Sequence, residues 1–566
     1  MTTATRSSST AYGSLVLFVA GMGGLLYGID VGIISAAVLY LDKATNLTLS
    51  QTSLIVGAVF GGSMLSSLVA GFFADWFGRK SMMIFSGFLF VSSVGIIVLS
   101  QSFVVLFTGR LLQGLSGGVI AVVVPLYLAE SLAARNRGKG AAIFQFALTI
   151  GIVLAAVSGL YFTHQAEAAI SAAAGNPALI HAAEEHAWRT MFLSIVYPGL
   201  LFFGGAFFLD ESPRWLFRKG KKEAAHRALA RVSSETDATL QMQEMESLAH
   251  AKQTETDTTG AGSLLQRKYV IPFVLACIIL TCNQATGINS ILSYLSVILR
   301  QAGMTAQHAT QGDLAVKVLN ALMTVVAIAL VDRRGRKFLL TIGTAGVIVA
   351  LSAAAIIFHN FEFKQVDIRD QIQSQVRANT LDLQDCSAFS NTSATGQPMT
   401  LSVLYASSGG GGEKIATVIC SDPAPLLHLT PEVSRIVTPV GSPTITIKHA
   451  FYGPIPTEKT GWLIAACLAL FIAAFAVGPG VVVWLALSEL MPTRIRSAGM
   501  GFALTLNQGT STLIASVFLP VVGNHGYSPM FAFWAGCTVV YFLTAAFFLP
   551  ETKGKTLEEI EAGFER

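Results

Sequence analysis

Asp30 stands in the run GGLLYGIDVGIIS, ten residues before Tyr40. On a helix that places its carboxylate ~15 Å inside the outer end of the first apolar block. A charge at that depth costs at least ~2.5 kcal/mol by insertion scales, so it needs a partner or a task. Arg110, in TGRLLQGLSGG near the start of the fourth apolar block, is the candidate partner. If the pair opens and closes, Asp30 becomes a proton site whose affinity follows conformation. The alternative is a fixed ion pair facing the bundle interior.

A second set of side chains is polar but uncharged. Gln145 lies in the fifth block, and Asn283, Gln284 and Asn289 lie in CNQATGIN of the seventh. Asn320 lies in the eighth, Trp484 in the tenth, and Asn507 with Gln508 in the eleventh. Asn and Gln each offer a donor and an acceptor, as a polyhydroxylated ligand requires, and an indole face can stack on a sugar ring. A lone Asn or Gln in a membrane helix is often glue between helices. Their spread over both halves points to a shared cavity.

The third set repeats. GFFADWFGRK (71–80) returns as IALVDRRGRK (328–337), so Asp75 and Arg79 correspond to Asp332 and Arg336. AESLAARNRG, with Glu130 and Arg137, returns in SELMPTRIRS, with Glu489 and Arg496. DESPR, with Glu211 and Arg214, corresponds to PETKG, with Glu551. The offsets change where the second half carries an insert at 359–460 and the first an Ala/His/Glu-rich stretch at 164–187. Such acids and bases at the membrane surface can form networks that lock the two halves on the inner side and part in another state. Each exposed pair is worth under ~1 kcal/mol, which suits a gate.

The elements that position these groups follow from composition. Of 566 residues, 52% are apolar and only 12% charged. The apolar residues come in blocks that reach the ~20 residues needed to cross a bilayer. Twelve spans are predicted, roughly 13–40, 52–73, 81–99, 104–130, 140–163, 189–208, 270–299, 311–331, 338–358, 461–488, 498–521 and 528–548. This excludes a water-soluble enzyme, a nucleic-acid binder and a disordered chain. The short loops on one side hold Arg79, Lys80, Arg135, Arg137, Lys139, Arg333, Arg334, Arg336, Lys337, Arg494 and Arg496. That bias predicts both termini in the cytoplasm of a cell or inner membrane.

The expected fold is an all-α polytopic membrane protein, with twelve transmembrane helices in two six-helix pseudo-repeat bundles. A polar tail (1–12) precedes the first bundle (13–208), a cytoplasmic helical linker follows (209–268), and the second bundle (270–548) is interrupted by the outer insert 359–460. A short tail (549–566) closes the chain. Residues 164–187 read as an outer loop, and β-branched runs such as Thr444–Ile447 hint at strands in the insert.

Cys277, Cys282, Cys467 and Cys537 fall in apolar blocks, whereas Cys386 and Cys420 fall in the insert and can pair in an oxidising compartment. The histidines of HAAEEH (His181–His186) have the wrong spacing for a zinc helix. Asn46 and Asn391 fit the glycosylation sequon.

Together these motifs resemble the sugar porter family of the major facilitator superfamily. GGLLYGIDVGIIS, GFFADWFGRK, GRLLQGLSGG, DESPRWL, NQATGIN, DRRGRK, GPGVVVWLALSEL and PETKGKTLEE carry the likeness across nearly the whole chain. The resemblance implies a major facilitator fold and a monosaccharide carrier working by alternating access. Proton symporters similar to the bacterial xylose carriers have an acid at the position of Asp30 and an Arg at that of Arg110. By the same likeness Gln145, Asn283, Gln284, Asn289, Asn320 and Trp484 contact the sugar. In this chain Asn283–Gln284 replaces the usual paired Gln, Gln508 replaces an aromatic, Ser293–Tyr294 replaces a Tyr pair, and the insert is additional.

The expected function is import of a pentose or hexose with a proton, against passive uniport and a non-transporting sugar sensor as alternatives. The expected partners are the sugar, the proton and the lipid bilayer. No enzyme activity, cofactor, metal or nucleic acid is expected, and the chain is expected to work as a monomer.

Overall fold

The computed structural model describes residues 2–45, 47–132, 134–233, 235–255, 266–377, 380–383, 399–407, 411–420, 427–429, 444–454, 456–491, 496–551 and 564. Among the described residues, twelve helices are long and apolar enough to cross a membrane. They are α1 (Tyr12–Leu41), α2 (Leu49–Phe77), α3 (Arg79–Val98), α4 (Phe103–Ser131), α5 (Ala142–Ala172) and α6 (Pro177–Phe207), then α7 (Tyr269–Gln301), α8 (Ala306–Val331), α9 (Arg336–Glu362), α10 (Glu458–Val483), α11 (Gly499–His525) and α12 (Tyr527–Phe548). Among the described residues of the linker between the bundles are the helices Pro213–Arg218, Lys222–Val232 and Glu235–Glu255. We call that membrane face the linker face and the opposite one the insert face.

Lipid offers no hydrophobic drive between helices, so close packing must come from small residues. On α1, Gly24, Gly28 and Gly32 form a stripe one turn apart against α5. A methyl group at Gly28 would lie 1.9 Å from the Leu148 carbonyl oxygen, and one at Gly24 2.3 Å from that of Phe144. The stripe presses α1 onto the α5 backbone and turns Asp30 towards α4.

The stretch 164–187 is helix rather than loop. α5 continues to Ala172 and α6 begins at Pro177, with Asn176 accepting from the Ala178 amide as its cap. Alanine is the best helix former, so this alanine-rich segment prolongs both helices beyond their apolar blocks.

The insert adds strands to the helical bundles, as the run Thr444–Ile447 hinted. Strands β1 (Val366–Asp367), β2 (Leu381–Leu383), β3 (Met399–Ser407), β4 (Gly411–Ile419), β5 (Leu427–Leu429) and β6 (Ile445–Pro454) form an antiparallel sheet in the order β1-β6-β3-β4, plus the pair β2–β5. Register runs Leu401↔Tyr452 and Val403↔Ala450 between β3 and β6, and Leu401↔Val418 between β3 and β4. Ile368, Ile372, Leu381, Leu401, Val403, Ile447 and Ala450 make a separate core. The sheet rests on the ends of α2 and α11: Asn524 donates to the Glu413 carboxylate at 3.0 Å, and Gly412 lies beside Thr48.

The halves meet through α1 with α7, α2 with α11, and α5 with α8. Among the described residues, hydrogen bonds between them run from mid-depth to the insert face. Tyr294 donates to Ser53 at 3.4 Å, the Leu519 amide donates to Ser53 at 3.0 Å, and the Ser296 amide donates to Ser35 at 3.1 Å. The molecule is closed on the insert face.

Candidate transport site

Asp30 and Arg110 do meet. The guanidinium donates to Asp30 Oδ1 at 3.1 Å and to Gln113 Oε1 at 2.7 Å, and it lies 5.4 Å from the centre of the Phe192 ring. Both partners are 1% exposed. The hydrogen-bonding capacity is not filled: Asp30 Oδ2, Arg110 Nε and Gln113 Nε2 are buried without a partner. A carboxylate with one held and one open oxygen can receive a proton there without its neighbours being rebuilt.

The polar residues of the second half cluster around a break in α7. Gly287 has φ +82°, a left-handed conformation that ends Arg267–Ala285 and starts Ile288–Gln301. Its missing side chain matters too, because a methyl group there would lie 2.3 Å from Trp534. Gln284 and Asn289 flank the break. Asn289 donates to Gln284 Oε1 at 3.0 Å and to Ser511 at 2.8 Å, and Gln284 donates to Asn507 Oδ1 at 3.2 Å. Asn507 is 1% exposed and donates to the Leu280 carbonyl, so it ties α11 to α7. Asn283 accepts from Tyr541 at 3.4 Å and thereby faces α12. Gln508 reaches across the halves to the Tyr27 hydroxyl at 3.4 Å and leaves Oε1 without a partner. Gln145 and Asn320 are half-buried. The Trp484 side chain lies outside the described residues.

On the linker face the repeated motifs build the same cap twice. Gly78 (φ +100°) ends α2, and the Glu211 carboxylate accepts from the Arg79 and Lys80 amides at 2.7 and 3.1 Å. Gly335 (φ +90°) ends the helix Ala306–Arg334, and Glu551 accepts from the Arg336 and Lys337 amides at 3.0 and 3.2 Å. Each acid neutralises the exposed amides at a helix start, which the helix dipole favours.

On the linker face the ion pairs of Arg79 and Arg218 stay within the first bundle and the linker beside it. Arg79 pairs with Asp75 at 2.8 Å and Glu130 at 2.7 Å, all in the first bundle. Arg218, exposed on the linker, adds contacts to Asp75 and Glu130 at 3.0 and 3.5 Å. It takes the place expected for Arg214, which sits one turn earlier and half-buried. The reason is local: the α2–α3 turn, the foot of α4 and the DESPR segment all belong to one bundle. Side chains of Arg137, Asp332, Glu489 and Arg496 lie outside the described residues, as do Cys386, Asn46 and Asn391. Cys420 is disulfide-bonded, and Cys277, Cys282, Cys467 and Cys537 are free.

The sequence reading passed over a second buried ion pair. Asp313 and Lys317 lie one turn apart on α8, 2.7 Å from each other, with side chains 2% and 0% exposed. Their spacing was the available signal: an acid and a base four residues apart in an apolar helix mark a paired charge.

The twelve-helix architecture, the duplicated caps and the polar midplane define a major facilitator transporter. The chain matches the family described as "Sugar (and other) transporter" over residues 16–370 and 438–564, and it belongs to that family. It is 30% identical to probable inositol transporter 2 of Arabidopsis thaliana, over 97% of this chain and 91% of that protein. It is 28% identical to the glucose transporter GlcP of Staphylococcus epidermidis, over 97% and 96% of the two chains. The E. coli proton:xylose symporter XylE, bound to 6-bromo-6-deoxy-D-glucose, superposes with a TM-score of 0.63 at 23% identity, over 98% of this chain and 100% of that one. At that identity the likeness speaks for the fold. The chain is a multi-pass membrane transporter and not an enzyme. The unmatched residues 371–437 fall within the insert.

Proposed function

We propose that this protein imports a monosaccharide together with a proton, with the linker face and both termini in the cytoplasm. The reading is carried by Asp30, a buried carboxylate with one oxygen held by Arg110 and the other open. When the insert face is open, Asp30 takes a proton on Oδ2 and its hold on Arg110 weakens. Sugar hydroxyls then bind Gln145, Gln284, Asn289, Asn320 and Gln508, and Trp484 is the aromatic partner that its residue type offers a sugar ring. Asn507 acts as a positioning residue, because its Oδ1 and its amide nitrogen are both engaged with α7, and Asn283, whose Oδ1 accepts from Tyr541, positions α12. The insert face closes over the sugar, the linker face opens, and the proton leaves as Arg110 recaptures the carboxylate. On the linker face, the Arg79 and Arg336 networks with Arg137, Glu489 and Arg496 steady the loops that move. In the insert we propose that Cys386 is the partner of Cys420.

One charge moved through ~150 mV supplies about 3.5 kcal/mol, on the order of a few-hundredfold accumulation of sugar. The test is Asp30→Asn in sealed vesicles, with counterflow measured for pentoses, hexoses and inositols. Counterflow is expected to persist while uphill uptake and alkalinisation of the medium disappear. Unchanged concentrative uptake would overturn proton coupling at Asp30. Uptake by the unaltered protein without any proton movement would leave a passive uniporter.

A further inference from the structure

We propose that Asp313 and Lys317 form a charged latch that holds the two halves together on the insert face, next to the proton site. The two side chains belong to the second half but reach into the first. Lys317 Nζ donates to the Gly32 carbonyl at 3.0 Å, and Ser35 Oγ donates to Asp313 Oδ1 at 3.1 Å. Ser35 also lies 3.1 Å from Ser296 Oγ on α7. Thus α1 is gripped from the first half at Asp30, by Arg110, and from the second at Gly32 and Ser35, by α8 and α7. All three points lie within one and a half turns of one helix.

The latch has a built-in economy. Because the ion pair is closed within α8, neither charge is stranded when the halves part. Only the contacts to Gly32 and Ser35 are lost, and water entering from the insert face replaces them. A carbonyl accepting from an ammonium and a carboxylate accepting from a hydroxyl are both charge-assisted, so they outweigh neutral bonds at the same boundary. The opening of the insert face therefore requires this latch to release, and the released segment of α1 is the one that carries Asp30. The inference rests on alternating access but not on proton coupling at Asp30.

The test is a distance measurement between spin labels at Thr45→Cys and Gln301→Cys, at the insert-face ends of α1 and α7. It uses the full chain with Cys277, Cys282, Cys467 and Cys537 replaced, at neutral pH without sugar. The variant Asp313→Asn with Lys317→Met removes both charges at once. It is expected to raise the ratio of long to short distances at least tenfold. A distribution unchanged from the parent, in protein that remains folded, would show that the pair only packs α8 and would overturn the latch. Should that variant not fold, the closer replacement Asp313→Asn with Lys317→Gln decides: a shift in the same direction supports the latch, and no shift overturns it. Unchanged concentrative uptake in the Asp30→Asn vesicle assay would overturn proton coupling and leave this readout unaffected, so the two proposals can fail separately.

Discussion

Two buried ion pairs lie within a short reach of one helix, and they are built differently. Asp30–Arg110 joins α1 to α4 inside one half, and it leaves a carboxylate oxygen and a guanidinium nitrogen without partners. Asp313–Lys317 is closed within a single turn of α8, and both its carboxylate oxygens are occupied, one by Lys317 and one by Ser35. Spare capacity lets a pair change its protonation without rebuilding its surroundings. Filled capacity makes a pair a fixed connector whose value lies in what it reaches. Burial alone therefore does not tell the two pairs apart; the unoccupied oxygen does.

This contrast can be broken most severely by stranding one charge. Arg110→Met leaves Asp30 buried without its cation, and the expected loss of stability is about 3–5 kcal/mol. Adding Asp30→Asn should restore most of it, as read by thermal melting in detergent. If Arg110→Met melts like the parent, the pair contributes nothing and the role assigned to Asp30 loses its basis.

A milder change sharpens the comparison between charged and neutral contacts at the boundary. Ser53→Ala removes a hydroxyl that accepts from Tyr294 and from the Leu519 amide across the halves. The Tyr294 bond is long and weak, so the two neutral bonds together are worth about 1 kcal/mol, and the spin-label ratio should move by about fivefold. An effect as large as that of removing Asp313 and Lys317 would mean that charge assistance adds nothing.

The smallest effect is expected at the half-exposed pairs that fasten the insert. Burial opposes the Asp367 charge, but His449 and the Ala450 and Arg369 amides hold its carboxyl below the ordinary range. Lys448 and Asn524 hold Glu413 low in the same way. A depressed carboxylate contributes stability at neutral pH that is lost as pH falls through the ordinary carboxylate range of about 4 and below it. A spin label at Thr417 on β4 should therefore become more mobile only under strongly acidic conditions, and Glu413→Gln should flatten that response. Because exposed pairs are individually weak, the change should be partial.

Much of the architecture was legible in the chain. Twelve apolar blocks mark twelve helices because no other element satisfies its own backbone in lipid. The repeats around Asp75 and Asp332 marked the turns that Glu211 and Glu551 cap, since a capping acid must recur with the glycine it covers. Asp30 announced itself by standing alone in an apolar block. Asp313 and Lys317 did not, because they sit near the start of α8, where a charge reads as the edge of the membrane. The stretch 164–187 misled for the opposite reason: its His and Glu suggested a loop, while its alanines made helix.

Hydropathy and duplication thus determined the number of helices, the repeat and the family likeness, since these depend on local chemistry at fixed spacing. Tertiary structure alone decided which polar groups spend their bonds on a neighbouring helix, as Asn283 and Asn507 do, and which keep one open, as Asp30 and Gln508 do. It alone brought Lys317 to Gly32, 285 positions away in the chain. The physical reason is that a hydrogen bond's partner is set by the packing of helices, and packing is a property of surfaces that meet only after the chain has folded.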